Sequence, residues 1–96
     1  MSEKIVYSPS YCIFHDKENY YMEIELPGIK KKDIEVEMTE NSICVRGEKE
    51  DLIYSGCWAL YHSVDPKKAV AKFDSGLLKI TIPFKEPIET VKVKIK

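Results

Sequence analysis

Alternation with a period of two runs through most of this chain. Tyr20, Met22, Ile24 and Leu26 alternate with Tyr21, Glu23 and Glu25, and Ile34, Val36 and Met38 with Glu35 and Glu37. Ile43 and Val45 alternate with Cys44 and Arg46, and Leu78, Ile80 and Ile82 with Lys79 and Thr81. Successive side chains of a strand point to opposite faces, so each segment is a strand with one dry and one wet face. Turn signals separate them: Asp16-Lys17-Glu18-Asn19, Pro27-Gly28, Glu40-Asn41-Ser42, Asp74-Ser75-Gly76 and Pro83. The spacing predicts strands at 11–15, 20–26, 34–39, 42–47, 53–62, 69–73 and 77–83. Seven to eight short strands at this spacing make an all-β, immunoglobulin-like antiparallel β-sandwich. No segment carries a helical stripe, and Ile29–Asp33 has room for one turn of helix.

Ninety-six residues support one core. We divide the chain into a loosely attached arm at 1–9, a sandwich domain at 10–84 and an extension at 85–96. Pro87 marks the exit from the sheet because it cannot donate to a ladder. Lys and Arg number 15 against 16 Asp and Glu, so the chain lacks the concentrated positive field that nucleic acid or an anionic membrane requires. No apolar run approaches the roughly 20 residues of a membrane span. Residues 1–10 have no apolar core for a signal peptide, so a soluble, cytoplasmic protein is expected.

Nothing in the sequence forms a catalytic constellation. His15 and Asp16 are strand neighbours on opposite faces, as are Cys12 and His15. No phosphate loop, nucleophile elbow or zinc motif occurs, so no enzyme activity, metal or cofactor is expected. The odd, widely spaced Cys12, Cys44 and Cys57 read as buried thiols in a reducing compartment. A thiol-linked module is the competing reading and needs an exposed thiol. Lys30-Lys31-Lys32 is diluted by Asp33, Glu35 and Glu37 and reads as a solvated loop.

The remaining feature is a binding surface. If strands 34–39 and 69–73 border the opening between the sheets, Ala69 and Ala71 leave room there for a guest side chain. An extended apolar segment would then fit by pockets at alternate positions. The alternative is that these residues simply fill a small core. Val91, Val93 and Ile95, alternating with Lys92 and Lys94, are a candidate guest, or else a last edge strand guarded by lysines.

Leu26-Pro27-Gly28-Ile29-Lys30-Lys31-Lys32-Asp33-Ile34 resembles a signature of the small heat-shock proteins. Asn41–Glu48, Val64-Asp65-Pro66, Ala71, Gly76-Leu77-Leu78 and Ile80-Thr81-Ile82-Pro83 continue it in order. The resemblance covers residues 8–83 and implies an α-crystallin domain. It implies an ATP-independent chaperone that binds exposed apolar segments of unfolding client proteins. By the same resemblance Ile34, Val36, Met38, Ala69 and Ala71 line the groove, and Val91, Val93 and Ile95 are the tail ligand. The long apolar arm usual in the family has only about nine residues in its place. The connection Glu48–Asp51 is too short for the extra, swapped strand of bacterial and archaeal members. Gly56 stands where many animal members place an arginine.

Leu60–Pro66 is also similar to a segment of CS-domain co-chaperones. The alternative function is thus an adaptor binding one folded partner around Trp58 and Tyr61. For self-association, we expect the edge at 53–62 to pair with its twofold mate, with Tyr54, Gly56, Trp58 and Leu60 at the contact.

Overall fold

The alternating segments pair into two four-stranded sheets in a computed structural model that describes residues 4–96. The strands are β1 (Ile5–Tyr7), β2 (Tyr11–His15), β3 (Asn19–Glu25), β4 (Ile34–Thr39), β5 (Ser42–Lys49), β6 (Leu52–Ala59), β7 (Val70–Asp74) and β8 (Leu77–Pro83). One sheet has the order β1-β6-β5-β4 and the other β2-β3-β8-β7. Short 3-10 turns at Lys31–Asp33 and Pro66–Lys68 lead into β4 and β7. The all-β sandwich expected from the sequence is the fold. No helix among the described residues is long and apolar enough to cross a membrane.

Local chemistry explains the connections. Ser75 and Gly76 both have positive φ, 50° and 81°, in the two-residue turn joining β7 to β8. That is the hairpin turn whose twist matches its flanking strands. Pro27-Gly28 closes a tight turn in which the Ile29 amide donates to the Leu26 carbonyl, and Gly28 supplies the φ of 78°. Between β2 and β3, Asp16 Oδ1 accepts from the amides of Glu18 and Asn19, each at 2.8 Å. Glu50-Asp51 alone joins β5 to β6, so no additional strand fits there.

The dry faces meet in one core. Tyr20, Met22, Ile24 and Leu26 pack with Ile43, Val45, Leu78, Ile80 and Ile82. Leu60, Val64 and Phe84 close one end, and among the described residues no charged side chain is buried. Each such large aliphatic side chain contributes about 1.5–3 kcal/mol on burial.

The structure departs from the sequence reading in four places. Ile5–Tyr7, placed by the sequence in a loose arm, pairs parallel with β6 in the register Ile5↔Leu52, Val6↔Ile53, Tyr7↔Tyr54. All three residues are exposed and show no alternation, so the period carries no signal. The strand expected to reach residue 62 stops at Ala59, where the Leu60 amide turns to the Asn41 carbonyl and the Leu60 side chain enters the core. Val91–Ile95 forms no strand. The cysteines are not buried: Cys12 and Cys57 are exposed, and Cys44 is half-buried and bonded to Cys57. Cys44 sits between the inward Ile43 and Val45, so alternation turns it outward.

Candidate functional site

The two margins of the sandwich are built differently. Where β6 faces β2, one aromatic pair spans the gap. Trp58 of one sheet lies against Tyr11 of the other with centroids 4.9 Å apart, while Tyr7 and Tyr54, partners within one sheet, border a cavity of about 190 Å³. Gly56 makes room for this indole, since a Cβ there would come within 2.5 Å of the Trp58 ring. Where β4 faces β7, the gap stays open. Val36, Met38, Pro66, Ala69, Ala71 and Ile80 line a cavity of about 290 Å³.

Each wall follows from the strand period and from side-chain size. Val36 and Met38 point inward from β4 and are half-buried, with Glu35 and Glu37 on the wet face. In the facing sheet Ala71 pairs with Ile80, whose buried side chain stands beside it on the same face. Ala71 shares the face of Ile80 yet is exposed. A methyl group is too short to reach β4, and no described side chain covers it. The turn at Pro66–Lys68 sets the entry to β7. There Asp65 Oδ1 accepts from the Lys67 amide at 3.2 Å, and the Ala69 amide donates to the Pro66 carbonyl. Beyond Pro66 lies a second cavity of about 460 Å³ lined by Thr39, Glu40, Val64, Asp65, Lys67 and Lys85. Lys85 Nζ lies 3.0 Å from Glu40 Oε1, and this hydrogen bond raises the ammonium above the ordinary lysine range.

Four of the five residues assigned to the groove therefore come together. Ile34, the fifth, packs half-buried against the core at the start of β4 and does not line the cavity. Pro66 and Ile80 were missed by the sequence reading. Ile80 was legible as the inward residue of β8, but its place beside Ala71 depends on register. The proposed tail ligand is free of its own domain: Val91, Val93 and Ile95 are 79%, 86% and 94% exposed. The last tie to the sandwich is the Ile88 amide on the Lys17 carbonyl, with the Ile88 side chain against the core.

The edge residues need correction. Tyr54 and Trp58 pack half-buried against the core, Gly56 lies under the indole and Leu60 is buried. Their shared face is the inner one, so it offers no apolar stripe to a partner. β1 also covers Leu52–Tyr54, leaving the outer backbone edge of Ser55–Ala59 without a described partner strand. Tyr61 is 97% exposed whereas Trp58 faces inward, so the two do not make one adaptor surface. Among the described residues no group of three or more His, Cys, Asp or Glu side chains is placed to hold a metal ion.

Eight strands in two stacked sheets, with a slot along one margin, define an α-crystallin-type sandwich. The chain belongs to the Hsp20/alpha crystallin family, which matches residues 12–96. It is 30% identical to small heat shock protein C2 of Rickettsia felis over 92% of this chain and 68% of that protein. It is 26% identical to a probable 15 kDa heat shock protein of Leptospira interrogans, over 95% of this chain and 80% of that one. Among solved structures, heat shock protein 16.0 from Schizosaccharomyces pombe superposes with a TM-score of 0.79 at 26% identity, covering 94% of this chain and 99% of that one. The resemblance drawn from the Leu26–Ile34 signature holds, and none of these relatives favours the adaptor alternative.

Proposed function

We propose that this chain acts in the cytoplasm as an ATP-independent chaperone. It holds exposed apolar segments of unfolding proteins in the slot between β4 and β7. The observation that carries this reading is Ala71, an inward-facing residue left open to solvent beside Val36 and Met38. An extended guest gains burial there by placing alternate side chains over the alanines. Occupying a non-native chain competes with its self-association, so mass action suffices and no nucleotide is needed. The slot has no nucleophile or general base among its lining residues, in keeping with a binding role.

The same slot suits the tail of a second copy. Val91, Val93 and Ile95 are exposed at alternate positions, and Lys92 and Lys94 would then face outward near Glu35 and Glu37. We assign 10–84 to the binding domain, with Ile5–Tyr7 of the arm joined to its sheet and 85–96 as the linking extension. The test is light scattering from a heat-labile client. The chain should suppress aggregation at a several-fold molar excess, and Ala71→Trp should abolish suppression while leaving the melting curve within about 1 kcal/mol, because the position is exposed. No suppression by the unsubstituted chain removes the chaperone reading. Full suppression by A71W removes the slot from it.

A further inference from the structure

Cys44 and Cys57 stand directly opposite each other on β5 and β6, with Cα atoms 4.1 Å apart. This is the closer type of cross-strand pair, which brings two outward side chains side by side. Their sulfurs are joined on the wet face of the sheet. The bond is not part of the core, which holds neither residue. It spans a hairpin already laddered from Ser42↔Ala59 to Lys49↔Leu52, so the chain keeps its register when the bond opens.

The two sulfurs are not equivalent. Cys57 is exposed on β6, whereas Cys44 is half-buried between Cys57 and Glu37, which faces it from β4. An incoming thiolate meets the Glu37 carboxylate at Cys44 and open solvent at Cys57. We propose that Cys44–Cys57 is a reversible thiol–disulfide exchange site that takes thiols at the Cys57 sulfur. In the first step a thiolate attacks Cys57 Sγ, the Sγ–Sγ bond breaks and Cys44 leaves as a thiolate that takes up a proton. With a dithiol, the second sulfur displaces the Cys57 thiolate and closes its own disulfide, so two electrons pass from the dithiol to the protein. With a monothiol the first step gives a mixed disulfide on Cys57, from which a second equivalent displaces the Cys57 thiolate to complete the reduction; acid quenching traps the intermediate. The preference for Cys57 therefore rests on access to its sulfur, and the direction of attack reads it directly.

The experiment uses the full chain carrying Cys12→Ser, so that the exposed third thiol does not contribute. The oxidised, folded protein is incubated with glutathione, quenched in acid and mapped by mass spectrometry. The adduct should sit on Cys57 over Cys44 by at least about tenfold, because exchange follows access to the sulfur. Cys44→Ser and Cys57→Ser then provide single thiols for reaction with glutathione disulfide. C44S should react at least about tenfold faster than C57S, with both folded by circular dichroism. Equal rates, or an adduct on Cys44, overturn the assignment of Cys57. A bond that survives excess dithiothreitol in native buffer and yields only in urea overturns the exchange site.

Discussion

Gly56 and Trp58 act as one unit on β6. The indole occupies the volume a side chain at 56 would take, with the nearest ring atom 2.5 Å from the ideal Cβ position. Gly56→Ala should push the ring off Tyr11 and cost about 1–3 kcal/mol, the range for overpacking. Urea unfolding followed by circular dichroism measures it. Asp16 carries a different prediction. The Tyr21 hydroxyl donates to Asp16 Oδ2 at 2.7 Å, and with the Glu18 and Asn19 amides it holds the carboxyl below the ordinary aspartate range. The same bond holds the Tyr21 hydroxyl above its ordinary value. The carboxylate's contribution is present above the unfolded aspartate value and is lost as pH falls through the lowered folded one. The hydroxyl's contribution is present below the unfolded tyrosine value and is lost as pH rises through the raised folded one. Tyr21→Phe should move the Asp16 titration, read by carboxyl-carbon NMR, upward toward the ordinary value. An unmoved titration would assign the shift to the amides alone.

Among the elements, β1 is the most lightly held. It has three exposed residues and one neighbour, and the Ile5 amide donates to the Asp51 carbonyl at 3.0 Å. Ile5→Pro removes that donor and should cost no more than about 1.5 kcal/mol, the worth of one hydrogen bond. Hydrogen exchange should quicken along Leu52–Tyr54 and stay unchanged in β3 and β8. β1 was also the element the sequence concealed, because parallel pairing of three exposed residues leaves no alternation. β3, β4 and β8 were legible almost to the residue, since one face of each packs on or into the core and polar positions separate the inward ones. The outward direction of Cys44 could be read from Ile43 and Val45. Its partner could not, because the Cys44↔Cys57 match depends on the register set by the two-residue turn Glu50-Asp51. For the slot, the alanines pointed to the margin where the cavity lies. Its extent depended on where Ile34 and Pro66 fell, and loop geometry rather than period decides that.

For the whole molecule the question is how copies meet. Beyond Ile88 the tail adds length without adding to the core, and the described structure extends 68 Å along its longest axis against 25 and 23 Å across. Replacing Val91, Val93 and Ile95 together by serine should leave the domain's stability within about 0.5 kcal/mol, as expected of exposed positions. Native mass spectrometry should show smaller assemblies if the tail links copies through the slot. Unchanged assembly mass would direct attention to the open edge at Ser55–Ala59, where sheets of two copies can continue across a twofold axis.

The chain has a single tryptophan, and that residue bridges the two layers at the margin away from the slot. Its emission is therefore an internal gauge of whether the layers have parted there, and it needs no added dye. A guest in the slot between β4 and β7, where we propose that one binds, would not touch this indole. A change of colour during heating thus reports the protein's own opening, separately from its cargo.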